Sequence, residues 1–420
     1  MEIAAGPARR RIVMAGLIGN ILEWYDFAIY GYFALTIGKQ FFPHEDPTVS
    51  LIAAFSVFAV GFLMRPLGGI LFGHVGDKLG RRTAILASSA AMALPTIAVG
   101  LLPTYAQIGL WAPALMLILR LIQGLSVGGE YTASSIFLAE QATDADRGRM
   151  ASWTLVGAVG GTLLGSAMGA LVNSLLGPSD LAAWGWRLPF LAGIVLAAYG
   201  VVLRRALPEI LPGETSAETP LVTAIRQEWR TMLQVAGITV CAAIGFYLIF
   251  VYVTVYLREI VHVSTAEALD INSLNMLAVI ILAPLFAGLS DRIGRKAVLL
   301  AAALGVVAFS WPLFALVHSG VGALVWFGQL GFAILVAAYL SVMPVVMAEA
   351  FPARMRCSAV SLAYNVPMAL FGGTAPMVAT FLINRDHDDF SPAYYLMAAG
   401  LISAIAIATM RETATDPLRD

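Results

Sequence analysis

Twelve apolar runs, each long enough to cross a bilayer as a helix, leave this chain of 420 residues few other ways to fold. They lie at approximately 12–38, 49–75, 83–103, 111–140, 149–176, 187–205, 231–257, 269–289, 298–317, 321–349, 357–383 and 392–410. A helix of about 20 residues spans the hydrocarbon core. In lipid only helices and closed barrels satisfy the backbone, and runs this long do not alternate like barrel strands. Composition agrees, since 59% of residues are hydrophobic and 12% charged, against about a quarter charged in soluble domains. The expected class is an all-α, multi-pass membrane protein.

The net charge of -1 comes with no basic tail, so no nucleic-acid partner is expected. Cys241 and Cys357 fall within apolar runs and read as small packing residues, and neither a metal site nor a cofactor is expected. The start, "ARRRIVMAGLIGN", has the basic flank of a signal peptide. Its apolar run nevertheless continues through Glu23 and Asp26 with no small-residue cleavage site before them, so a retained first span is expected.

Orientation follows from the basic residues. With a cytoplasmic N-terminus, only Lys39, Arg187, Arg258 and Arg385 of the 25 Lys and Arg residues fall on the far side, while Arg65 and Arg120 lie inside helices. The positive-inside rule therefore puts both termini in the cytoplasm. The segment 206–229, with Pro208, Pro212 and Pro220, reads as a cytoplasmic linker between an N-terminal bundle (1–205) and a C-terminal bundle (230–420), each of six helices. An internal repeat supports this division: "GDKLGRR" at 76–82 matches "SDRIGRK" at 290–296, and "AEQATDADRGR" at 139–149 is echoed by "AEAFPARMR" at 348–356.

These motifs carry a resemblance. Twelve helices in two parallel halves, with "GHVGDKLGRR" after the second run and "GLSDRIGRK" after the eighth, resemble the major facilitator superfamily of secondary transporters. Within it, "GNILEWYDFAIYG", "GFLMRPLGG", "RLIQGLSVGGEYTASSIFLAE" and "WGWRLPFL" resemble the metabolite:proton symporters, whose members carry proline, betaines or carboxylates such as citrate, 2-oxoglutarate and shikimate. The resemblance implies two pseudo-symmetric bundles, a bacterial inner membrane and proton-driven uptake, with a proton-independent facilitator or exchanger as the alternative.

The loop motifs can also be read physically. Asp77 and Asp291 begin short turns closed by Gly80 and Gly294, and Arg81 and Arg295 can pair with acids at neighbouring helix ends such as Glu140 and Glu349. Such pairs would form a cytoplasmic gate, closed in one state and broken in the other. Positive-inside topology alone would account for the same arginines.

Buried charge is the sharper signal. Glu23 and Asp26 share a helix face with Asn20 and Tyr30, Arg65 lies mid-helix, and Arg120, Gln123, Val127 and Glu130 form a stripe at helical spacing. A charge at bilayer depth costs at least about 2.5–3.5 kcal/mol, so three acids and two bases confined to the first half call for partners, cavity water or protonation. Asp26 and Glu130, coupled to Arg120, are the preferred proton carriers, with Glu23 as a further candidate, because no His lies at a helix centre. Arg65 or Arg120 could grip a substrate carboxylate by paired hydrogen bonds. The bland alternative is a set of structural ion pairs locking three helices together.

The facing half offers neutral groups: Tyr252, Tyr256, Asn275, Trp326, Gln329 and Asn365. Its aromatic groups could cage a quaternary ammonium, although packing or a membrane-interface belt is the commoner role. With no base in that half a tricarboxylate would be poorly compensated, so a substrate with one or two carboxylates, or a zwitterion, is expected. The transporter is expected to act as a monomer. "GLSVG" at 124–128 fits a hydrolase elbow but lies mid-helix without a His partner, so no enzyme is read from it. Gly157, Gly161, Gly165 and Gly169 form a smooth stripe suited to close helix packing.

Overall fold

The structure, a computed structural model, describes residues 7–45, 47–205 and 220–419. Among the described residues there are helices and connecting turns and no strands. Ten helices are long and apolar enough to cross a membrane, or eleven if the bent pair Pro178–Gly185 and Arg187–Leu203 counts as one span. The run expected at 49–75 is helical but broken at Met64 into Pro47–Leu63 and Arg65–Lys78, neither long enough alone. Pro66 supplies the reason: it has no N–H for the carbonyl of Phe62, and the Met64 N–H bonds to Gly61 instead.

Most of the expected linker, 206–219, lies outside the described residues. Its last part differs from expectation, because Pro220 starts a helix that runs to Tyr247 with a kink at Glu228. Proline suits a first turn, where the N–H has no helical partner in any case, so a proline taken as a loop signal here opens a helix.

Two compact units are distinguished by their contacts. One draws on described residues of 2–134 and 157–215, the other on 135–156 and 216–420. The segment 135–156, which the repeat assigns to the first half, is thus packed with the second.

In the first unit the glycine stripe lies along the Pro7–Tyr32 helix. A Cβ at Gly157 would stand 2.7 Å from the Leu17 carbonyl oxygen, one at Gly165 would stand 2.8 Å from that of Tyr25, and Gly161 is packed as tightly on Ile21. Close backbone approach of this kind substitutes for the hydrophobic drive that lipid does not provide. The "WGWRLPFL" motif fastens the same unit from the other end. Arg187 donates to the carbonyls of Gly100 and Leu102, capping the Arg81–Leu101 helix, and Tyr25 donates to Pro189 over 2.7 Å. Trp186 is fully buried edge-on against Phe41 and Phe190.

The repeat is visible in the backbone. Gly80 has φ 98° and Gly294 φ 104°, values open to glycine and strained for other residues. Beside them Arg81 bonds to Asp77 at 2.8 Å and Arg295 to Asp291 at 2.6 Å.

Candidate functional site

The first unit gathers its charges between the Pro7–Tyr32, Arg81–Leu101 and Trp111–Glu140 helices. Arg120 Nη1 donates to Asp26 Oδ2 at 2.6 Å, while Asp26 Oδ1 accepts from Thr96 Oγ1 and Gln123 Nε2, each at 2.9 Å. The guanidinium also lies over the Tyr30 ring at 3.7 Å, and the Tyr30 hydroxyl is anchored to the Ala54 carbonyl. Asp26 and Arg120 are both buried, so each offsets a desolvation cost that the other could not bear alone.

Glu130, one helical stripe deeper, accepts from Ser88 Oγ at 2.7 Å and Ser89 Oγ at 2.9 Å. Ser126, from the hydrolase-like pentapeptide, is buried and donates to the Ser88 carbonyl, a packing role. Arg65 is buried with its guanidinium 5.8 Å from the Phe62 ring. Asn20 donates to the Gly16 carbonyl.

Some polar atoms in this cluster are left over. Both carboxyl oxygens of Glu23, the amide oxygens of Asn20 and Gln123, and Nε and Nη2 of Arg120 are buried without a hydrogen-bond partner. Each such group costs about 1–3 kcal/mol, more when charged, so the cluster carries hydrogen-bonding capacity that the protein itself leaves unused.

The second unit shows the same feature in neutral form. Asn272 donates to the Phe250 carbonyl at 3.1 Å, Gln329 to that of Ile249 at 3.4 Å and Asn275 to that of Ile271 at 2.9 Å, and all three amide oxygens remain unpartnered. Phe250 and Ile249 belong to a π-helical turn, Leu248–Tyr252, a departure from α-geometry that is common at functional sites. Tyr256 is instead built into packing: it is fully buried, with its hydroxyl 2.9 Å from His318 Nδ1 and its ring edge-on to Phe314. Tyr252 lies 6.3 Å from it, ring to ring. Asn365 donates to the Ser361 carbonyl, and Trp326 is half-buried against Phe327.

A third cluster joins the segment 135–156 to the helix ends of the second unit. Glu349 accepts from Arg147 at 2.8 Å and from Arg295 at 3.2 Å, and Arg356 pairs with Glu140. Glu349 lies 209 residues after Glu140 (349 − 140), and Arg356 lies 209 after Arg147 (356 − 147), so the repeated acids and bases pair crosswise. Asp291 accepts from the backbone N–H groups of Gly148 and Arg149. A side chain at Gly148 would collide with Arg295 Nη1 at 2.7 Å, which accounts for the glycine in "DRGRM".

Sequence reasoning named Glu140, Asp291, Arg295 and Glu349 but missed Arg147 and Arg356, although the echoed motifs contain both. It also missed Thr96, Ser88, Ser89 and the C-terminal segment. There the Asp416 carbonyl accepts from Arg147, that of Arg419 accepts from Arg356, and Thr413 donates to Glu349. A cavity of about 400 Å³ lies beneath this segment, lined in part by Glu349, Arg411, Asp416 and Arg419.

The structure thus holds a charged cluster in one repeat, neutral amides in the other and a crosswise ion-pair lattice at helix ends of the second unit. The chain belongs to the major facilitator superfamily, and within it to the metabolite:proton symporter family. Residues 12–210 match the family model "Sugar (and other) transporter" and residues 235–419 match "Major Facilitator Superfamily". The proline/betaine transporter of Salmonella typhimurium strain LT2 is 36% identical over 425 residues, covering 98% of this chain and 85% of the relative. The glycine betaine/proline/ectoine/pipecolic acid transporter OusA of Dickeya dadantii is 35% identical over 430 residues, with the same coverage. Among solved structures, the proton:xylose symporter XylE bound to 6-bromo-6-deoxy-D-glucose superposes with a TM-score of 0.80 at 18% identity, over 98% of this chain and 97% of that one. The twelve-helix fold is therefore that of the superfamily, and the protein is a multi-pass membrane transporter rather than an enzyme.

Proposed function

We propose that this transporter is a proton-coupled symporter for a small carboxylate-bearing solute, a mono- or dicarboxylate or a proline- or betaine-like zwitterion. The observation that carries this reading is the unspent edge of Arg120. One amino group holds Asp26 while Nε and Nη2 face no acceptor, which is the donor pair a substrate carboxylate would fill. The names of the relatives, transporters of proline and betaines, fit such a solute.

Proton coupling falls to the acids of the same cluster. Asp26 is fully engaged by Arg120, Thr96 and Gln123, and Glu130 is held by two serines, whereas Glu23 has no donor on either oxygen. Glu23 therefore gains most from carrying a proton. Asp26, Glu130 and Arg120 couple that proton to the solute, and Asn20, Tyr30 and Arg65 shape the pocket. The Asp77–Arg81 pair and, separately, the lattice of Glu140, Asp291, Arg295 and Glu349, extended by Arg147 and Arg356, act as the cytoplasmic gate and break once per cycle. Both termini lie in the cytoplasm of a bacterial inner membrane, the halves 1–205 and 230–420 alternate access, and the working unit is a monomer.

The test is uptake by reconstituted protein across a panel of betaines, proline and mono-, di- and tricarboxylates, with an imposed proton gradient and with an uncoupler. Uphill uptake that collapses with the uncoupler is the expected result. Uptake of a panel solute that is indifferent to the gradient would assign the chain to facilitated diffusion or exchange instead.

A further inference from the structure

We infer that Thr96 is a positioning residue that serves Asp26 in both of its protonation states, turning its hydroxyl between the carboxyl and its own helix so that Asp26 takes up and releases a proton in place. The inference rests on the proton-coupled reading above and deepens it by specifying how Asp26 holds a proton beside Arg120.

Three observations carry it. First, the Thr96 hydroxyl has two acceptors and one hydrogen: Asp26 Oδ1 and the Met92 carbonyl both lie 2.9 Å from its oxygen. Second, Gln123 Nε2 donates to that same oxygen and to Asp26 Oδ1, each at 2.9 Å, so one amide holds carboxyl and hydroxyl side by side. Third, the group is withdrawn from solvent, with Asp26 and Thr96 at 0% exposure and Gln123 at 1%.

The contacts balance in either state. With Asp26 ionised, the Thr96 O–H points at Oδ1 while Arg120 holds Oδ2. When a proton driven by the gradient arrives, an O–H bond forms on Oδ1 and the threonine O–H stays intact. The hydroxyl turns about its Cβ–Oγ bond to the Met92 carbonyl, and its oxygen accepts from Asp26 as well as from Gln123. Every polar atom of the triad that was bonded remains so, and no side chain has to leave its place. Protonated Asp26 no longer neutralises Arg120, whose charge then falls to the solute carboxylate. Proton and solute thus compensate each other beside one guanidinium.

The neighbouring charges leave this exchange to Thr96. Arg120 faces Asp26 from the Trp111–Glu140 helix, and Tyr25 and Tyr30 of its own helix commit their hydroxyls to the carbonyls of Pro189 and Ala54. Glu23 interacts with Arg65 and Glu130, Ser88 of the Arg81–Leu101 helix serves Glu130, and Arg187 is engaged by Gly100 and Leu102.

The experiment titrates the purified protein from neutral to acid pH by infrared difference spectroscopy, with Asp26→Asn assigning the acid carbonyl band of Asp26. Gradient-driven uptake of the panel of betaines, proline and carboxylates is measured in liposomes alongside. In wild-type protein the band is expected at the position of a hydrogen-bonded acid. Thr96→Val, which has the same shape without the hydroxyl, should move it to the position of a free acid. It should also lower gradient-driven uptake by roughly tenfold, the worth of one hydrogen bond to a charged group. Thr96→Ser keeps the hydroxyl and should restore both properties.

A wild-type band at the free-acid position overturns the inference even if no variant folds. An unchanged band or unchanged uptake in folded Thr96→Val does the same. If Thr96→Ser is as impaired as Thr96→Val, the effect belongs to packing and the inference falls. Proton-driven uptake without any Asp26 band in the titration overturns the inference and leaves the symport reading standing on Glu23 or Glu130. Uptake that is indifferent to the gradient ends the proton-coupled reading, and the inference with it.

Discussion

Arg120 and Asp26 meet at 2.6 Å with both side chains withdrawn from solvent. Removing the carboxylate leaves a buried guanidinium without its counter-charge, so Asp26→Ala should cost about 3–5 kcal/mol of stability. Asp26→Asn keeps the shape and the contacts with Thr96 and Gln123, and is expected to fold with a smaller loss yet fail in uptake. Melting temperatures in detergent and initial uptake rates measure the two effects separately.

Glu23 makes the opposite case. Neither of its oxygens has a donor, so Glu23→Gln replaces a buried carboxyl by a neutral amide of the same size and should leave the melting temperature equal or higher. Proton-driven accumulation should be lost while exchange of labelled for unlabelled solute persists. An intact response to the proton gradient in this variant would remove Glu23 from the coupling mechanism.

The glycine stripe provides an internal control. A Cβ at Gly161 would stand 2.9 Å from Ile21 Cα, whereas one at Gly160 meets nothing within 4 Å. Gly161→Ala should therefore cost about 1–3 kcal/mol. Gly160→Ala should be neutral or slightly stabilising. Thermal unfolding of the pair in one detergent decides the point, and equal effects would show that the close approach carries no energy.

Glu412 predicts how the C-terminal segment responds to acid. Burial alone would raise its carboxyl, but the backbone N–H groups of Ala414, Arg295, Lys296 and Thr413 outweigh that and hold it below its usual value of 4.5. A carboxyl lowered in the folded state stabilises docking above that usual value and ceases to do so as pH falls through the lowered one. Protection of residues 410–419 from hydrogen exchange should be constant near neutrality and decline in acid below 4.5. Glu412→Gln should show reduced protection at neutral pH and a flatter acid response.

The fold was legible because lipid leaves so few options: long apolar runs and a repeated Gly-Arg turn suffice to define it. Positions on a helix were legible too, since the stripe from Arg120 to Glu130 is buried along its length. Partners across helices were not. That Thr96 rather than a second base completes Asp26, or that Glu140 meets Arg356, depends on packing that no single helix encodes. The π-helical turn was hidden for a similar reason, as an apolar stretch from Leu248 to Tyr252 has the same composition in either geometry. Pro220 misled because proline marks a helix start as readily as a loop.

The two repeats keep the same glycine turn at Gly80 and Gly294 but have parted in chemistry, one holding the Asp26–Arg120 pair and the other three neutral amides. On the proposed mechanism the pair would serve the drive and the amides the choice of solute, so a substitution in one repeat would change one property without touching the residues of the other.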